Sequence, residues 1–210
     1  MINKKRLAMM ALAASMILPT NLTYLSVATP ILATETQDPK TPLNSTVIVT
    51  KDRGDGTSAP CLSQGTYEIT TDITLTETNP TWIAKDESVK IYLNGNTLSS
   101  SALWVFGLRD GATLEIIGPG TLESTVTDGE GGVLFLRGEK GNLIIRDEVT
   151  IKHGASKGWG ITISETAPSS TVSLTNSMIE AKQGGITVNG DMLKSEDIPL
   201  DSDKLPTITL

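Results

Sequence analysis

Four groups of residues in this 210-residue chain have types and spacings that could do chemistry. The acids Asp191, Glu196, Asp197, Asp201 and Asp203 crowd one short stretch. Carboxylates gathered this closely are hard oxygen donors of the kind Ca²⁺ takes. Their spacing lacks the regular ligand interval of an EF-hand loop, so a solvated acidic loop is the competing reading. Arg53-Gly54-Asp55 sets a cation and a carboxylate either side of a glycine, a receptor motif that integrin-type proteins read on exposed loops. His153, in Lys152-His153-Gly154-Ala155-Ser156, is the lone imidazole of the chain. It reads as a surface corner histidine, because no carboxylate pair accompanies it to share acid–base work. Glu123 and Glu180 are the fourth group, a separated carboxylate pair of the kind an inverting glycosidase uses. No catalytic residue is assigned and no resident cofactor is expected. Ca²⁺ on the acidic stretch is the one candidate ion.

Composition narrows the classes further. One Cys and one His exclude a disulfide framework and a multi-ligand zinc or histidine centre. Aromatic residues make up 4% and the net charge is −7, which argues against a nucleic-acid partner. Three cations, Lys4, Lys5 and Arg6, precede a largely apolar run from Leu7 to Leu18. This is the build of a secretory signal peptide, and the run is shorter than the roughly 20 residues of a membrane-spanning helix. Small-residue cleavage sites follow Ala28 and Ala33, and Ala33 gives the more polar start. Residues 1–33 are therefore read as a signal peptide. Their loss leaves 14 basic against 24 acidic side chains, a net charge of −10. Such a chain is repelled by nucleic acid and by anionic membrane. Cys61 is expected to be buried and inert.

The elements that must carry these groups are strands. Residues 34–62 are rich in Thr, Pro, Asp, Ser and Gly and read as a polar linker or N-terminal cap region, with one short strand at 46–49. From residue 63 onward apolar residues alternate with period two, in short runs bounded by Gly, Asn, Asp or Pro. The runs repeat. Trp104-Val105-Phe106, Val133-Leu134-Phe135, Ile161-Thr162-Ile163 and Ile186-Thr187-Val188 start 29, 28 and 25 residues apart. Val89, Leu114, Leu143, Val172 and Ile208 head a second series at 25, 29, 29 and 36, and Leu98, Leu122, Ile151 and Ile179 a third at 24, 29 and 28. Three series sharing one period describe stacked supersecondary units. Three short strands per turn, each paired with its equivalent about 4.8 Å above, give a parallel β-helix of about four or five coils over residues 63–210.

The spacing orients the faces. Trp104, Val133, Ile161 and Ile186 are expected to stack inward, with Phe106, Phe135, Ile163 and Val188 beside them. Val105, Leu134, Thr162 and Thr187 then face out. Glu123, Lys152 and Glu180 fall at equivalent outward places on successive coils, where opposite charges attract. That ladder outweighs the hydrolase reading of the two glutamates. The gap between the first and second strands, 8 or 9 residues in three coils, is 20 from Val188 to Ile208. The acidic stretch is thus a long loop on a rigid scaffold, where function concentrates.

The segment Ile91-Tyr92-Leu93-Asn94-Gly95-Asn96-Thr97-Leu98, with Gly111-Ala112-Thr113-Leu114-Glu115-Ile116-Ile117-Gly118-Pro119-Gly120-Thr121-Leu122, resembles the opening coils of right-handed β-helix proteins of the pectin lyase-like group. It is most similar to secreted or surface members from Gram-positive-type bacteria. The resemblance implies a fold shared by polysaccharide lyases, glycoside hydrolases, adhesins and carbohydrate-binding proteins. The Asn-Thr-Asp and Asp-Asp patterns of the polygalacturonase-type hydrolases do not occur here. The expectation is a secreted or cell-surface binding, adhesion or scaffold module with a polysaccharide, host or cell-surface partner. The alternative is a polysaccharide lyase or glycosidase whose decisive residues lie elsewhere. The last strand, Ile208-Thr209-Leu210, has no polar cap in this sequence. That pattern leads to the expectation of further coils, or of end-to-end or edge association.

Overall fold

A computed structural model describes residues 39–76, 79–164, 166–189 and 206–210. Residues 1–33, read above as a signal peptide, and the acidic stretch 191–203 lie outside the described residues. The chain begins with β1 (Thr41–Pro42), a 3₁₀ turn (Ser45–Val47), β2 (Ile48–Asp52) and β3 (Ser58–Leu62). Strands then follow in order: β4 (Gly65–Glu68), β5 (Ile73–Leu75), β6 (Thr81–Ile83), β7 (Ser88–Tyr92), β8 (Thr97–Ser100), β9 (Phe106–Leu108), β10 (Thr113–Ile117) and β11 (Gly120–Ser124). They continue as β12 (Glu130–Leu136), β13 (Asn142–Arg146), β14 (Val149–His153), β15 (Lys157–Ser164), β16 (Thr171–Thr175), β17 (Met178–Glu180), β18 (Gly184–Asn189) and β19 (Thr207–Thr209).

Every third strand pairs. A first sheet runs β1-β4-β7-β10-β13-β16-β19, a second β17-β14-β11-β8-β5, and a third β18-β15-β12-β9-β6-β3-β2. All pairs are parallel except β2 with β3, a hairpin that closes one end of the third sheet. The protein is an all-β parallel solenoid of about five turns. No helix among the described residues is long and apolar enough to cross a membrane.

Register follows from which residues can go dry. Val89, Leu114, Leu143, Val172 and Ile208 pair in one line, and Leu98, Leu122, Ile151 and Ile179 in another, as their spacing predicts. Leu114, Ile116, Leu122, Leu143, Ile145 and Ile151 are fully buried. Burying one such side chain is worth roughly 1.5–3 kcal/mol.

The third sheet differs from the predicted register. Leu134 pairs with Phe106 on one side and Ile161 on the other, and Leu136 with Leu108 and Ile163. The inward columns are therefore Phe106-Leu134-Ile161-Ile186 and Leu108-Leu136-Ile163-Val188. Trp104 lies before its strand rather than within the column, and Phe135 faces outward. Leu134, expected outside, is fully buried. The physical reason is the corner that leads into these strands. Its length varies between coils, and a one-residue slip moves every side chain to the opposite face. Aligning on the bulky aromatics chose the wrong phase.

Within 34–62 three strands join the solenoid: β1 pairs parallel with β4, β3 pairs parallel with β6, and β2, from Ile48 to Asp52, pairs antiparallel with β3. Only Cys61 and Leu62 of that hairpin are fully buried, so alternation there was faint.

The corners between first-sheet and second-sheet strands need left-handed backbone. One coil supplies Asn94 and Gly95, at φ 51° and 83°. Another supplies Asp147 and Glu148, at 66° and 68°. Two consecutive side-chain-bearing residues in this region are costly, and coils on both sides hold them through Glu148 N–H to Asn176 O and Gly120 N–H to Glu148 O. Replacing Glu148 with Gly should raise stability by about 1 kcal/mol, read as a higher urea midpoint with an unchanged slope. A lower midpoint would show that this corner is not strained.

Candidate functional site

The outward face of the third sheet holds the chain's largest gathering of aromatic and cationic side chains among the described residues. Trp82 and Phe135 point outward because their neighbours Ile83, Leu134 and Leu136 point in. The residue between them in the column is Gly107, and it must be small. A Cβ there would lie 2.6 Å from the Trp82 ring, so the indole leans across the gap. Its edge meets Phe135 at a centroid distance of 6.4 Å and 66°. Trp104, from the corner before β9, stacks on Phe135 at 4.7 Å and 16°. The three rings form one contiguous row with Phe135 in the middle. Trp82 is buried, whereas Phe135 and Trp104 keep part of their surface in solvent. The Trp104 Nε1, Thr162 Oγ1 and Arg109 Nε atoms near this row are buried without a hydrogen-bond partner.

The Arg53-Gly54-Asp55 triplet lands on the same face. Arg53, Gly54 and Asp55 form the tip between β2 and β3. Asp52 Oδ1 accepts from Gly54 N–H (2.8 Å) and Gly56 N–H (3.1 Å), which fixes the turn. Arg53 Nε donates to Asp55 Oδ1 at 3.0 Å, and its Nη2 lies 3.0 Å from Oδ2. Arg109 Nη2 reaches the same Oδ2, also at 3.0 Å. Arg53 lies over the Trp82 ring at 4.5 Å and Arg109 at 5.8 Å. The Arg53 hydrogen bond, with the Thr57 amide and the two guanidinium charges, outweighs burial and lowers the Asp55 pKa to about 2. Both charges of the motif are thus turned inward onto partners.

His153 corrects the surface reading. It is 3% exposed and belongs to an inward column with Ser100 and Ser124. Its Nδ1 accepts from Ala155 N–H at 3.1 Å, while Nε2 is buried without a partner. A Cβ on Gly158 would fall 1.9 Å from Nδ1, so the ring fills the space that glycine leaves. Alternation from Ile151 already places residue 153 inside; the adjacent glycine obscured this. Burial pushes its pKa down.

Elsewhere charges are paired along the outside. Glu123 and Lys152 stand in register on the second sheet with a 3.3 Å ion pair, and Glu180 follows Lys152 in the column. On the first sheet Glu115 takes Lys90 at 3.1 Å and Arg146 at 2.8 Å. Burial would raise the Glu115 pKa, but these two bonds reverse it and the net shift is downward. A carboxylate so held is a poor proton donor. A hollow of about 490 Å³ between the 3₁₀ turn and β5 is lined by Leu43, Ile48, Ile73, Leu75 and threonines, and has no ionisable side chain. No group of three metal-ligating side chains occurs among the described residues. Cys61 is fully buried, beside Trp82 and Ala84, and burial raises its thiol pKa.

Fold and surface together define a β-solenoid with an aromatic row outside one sheet. Comparison with protein-family models, curated sequences and solved structures returns no match. Sequence reading missed Trp82, Trp104, Phe135 and Arg109 as a group. Part of the signal was available in principle: two of only eight aromatic residues, Trp82 and Phe135, share one outward column on either side of Gly107.

Two titrations check these assignments. The native state holds His153 neutral, so below about pH 6.5 the unfolded chain binds a proton the folded one refuses. Stability should therefore fall as pH drops from about 7.5 to 5.5, and His153→Gln should flatten that slope in urea unfolding. Asp55 should titrate near pH 2 by carboxyl NMR, and Arg53→Ala should move its midpoint toward the usual 3.8. An unmoved midpoint would mean that Arg53 is not its main partner.

Proposed function

We propose that this protein is a secreted or cell-surface binding module that docks a glycan on the outside of its third sheet. One observation carries the reading: the row Trp82-Phe135-Trp104, with two rings part-exposed on a rigid wall. Flat rings packed against a sheet receive the apolar face of a sugar ring at little cost in side-chain entropy. Export is supported by Lys4-Lys5-Arg6 ahead of the Leu7–Leu18 run. The acidic balance, net −7, speaks against nucleic acid as the partner.

A glycan array on the purified protein, followed by calorimetry on the best ligand, tests this. Trp104→Ala should weaken binding about tenfold or more, the equivalent of one lost stacking contact. Lys152→Ala, on the second sheet, should leave binding unchanged. No retained glycan would leave a scaffold role standing in place of a binding one. Release of unsaturated uronate or of reducing ends from a polysaccharide would place the protein among carbohydrate-active enzymes instead.

A further inference from the structure

The triplet and the aromatic row share atoms. Arg53 is both the cation of Arg53-Gly54-Asp55 and the group lying over Trp82. Arg109 lies over the same ring from β9's end, and Asp55 is the one carboxylate that joins the two guanidiniums. Trp82 is 4% exposed, although it stands on the outside of the sheet. Cys61, Ala84, Ala59 and Phe135 pack against it, and the two guanidiniums cover the ring besides.

We propose that Arg53, Asp55 and Arg109 form a charge-latched lid over Trp82, opened when a cationic partner withdraws the Asp55 carboxylate. The physics is a balance of three charges. With Asp55 in place, each arginine has a hydrogen-bonded anion and the pair tolerates its closeness. Without it, two like charges share one indole and repel in a half-buried site, where screening is weak. Among the described residues Asp55 is the one salt-bridge partner of both guanidiniums, and the Trp82 ring beneath them is the other hold on them. The Arg109 Nε atom has no partner, and the Arg53 guanidinium bonds only to Asp55. The backbone of the tip need not move. Arg53 N–H to Thr57 O (3.1 Å) and Lys85 N–H to Arg53 O (3.1 Å) hold it whether the lid is closed or open.

Opening would bare a third ring beside Phe135 and lengthen the row. A partner that takes Asp55 and a ligand that lies on the row are then coupled, each favouring the other. The coupling rests on the glycan reading above, whereas the lid does not. Two readouts keep them apart.

The first is acrylamide quenching of Trp82 in a chain carrying Trp104→Phe and Trp159→Phe. The closed lid should protect the indole. Asp55→Asn, which keeps the side-chain shape, should raise quenching severalfold. The double change Arg53→Ala with Arg109→Ala removes the lid outright and should raise it at least as far. Unchanged far-ultraviolet dichroism and melting would show that the hairpin remains folded in each. Quenching that rises for the arginine pair but not for Asp55→Asn would overturn the charge latch. Quenching unchanged in both would overturn the lid. The second readout is glycan affinity with Trp104 intact, which should increase in Asp55→Asn. Open quenching without increased affinity would overturn the coupling and leave the lid standing.

Discussion

No single coil of this solenoid can build a core. Each contributes a few inward side chains, and these become dry only when the equivalent side chains of the coils above and below cover them. Stacking in register is the constraint on which the rest depends. It places Leu114 on Leu143 and Leu122 on Ile151, and it saturates the backbone through parallel pairs. It also fixes what lies outside. Once the inward line is chosen, every intervening residue is committed to solvent or to an outer layer.

The outer layers of the three sheets use that commitment differently. The first two carry ion-pair columns, Lys90-Glu115-Arg146 and Glu123-Lys152, in which opposite charges alternate from coil to coil. The third carries rings. A glycine at 107 makes the arrangement feasible, because it lets Trp82 span one coil and meet Phe135. The hairpin of β2 and β3 then brings Arg53 and Asp55 over the same ring, so a motif distant in sequence from β9 acts with Arg109. Surface chemistry is concentrated where the hairpin folds back on the stack.

Much of this architecture was legible beforehand, and for a definite reason. In the first and second sheets, period-two alternation and constant spacing agree, so both the strands and their partners could be named. The ion pair between Glu123 and Lys152 followed from the same spacing. In the third sheet the two signals conflict. The corner before β9 contains Trp104, which is large, apolar and outside, and it mimicked an inward position. His153 was misplaced in the opposite sense: its polarity and the neighbouring Gly154 suggested a corner, while the alternation from Ile151 put it inside.

By itself the sequence determined the class of fold, the coil length and the inward lines of two walls. Those properties depend on local periodicity and on spacing repeated over many residues, so single exceptions average out. Tertiary structure alone decided the phase of the third wall and the company kept by Arg53, Asp55, Trp82, Phe135 and Arg109. A one-residue phase choice rests on which alternative buries Leu134 rather than Phe135 once all coils are stacked. A meeting of side chains from β6, β9, β12 and a hairpin tip requires positions in space that no spacing along the chain encodes.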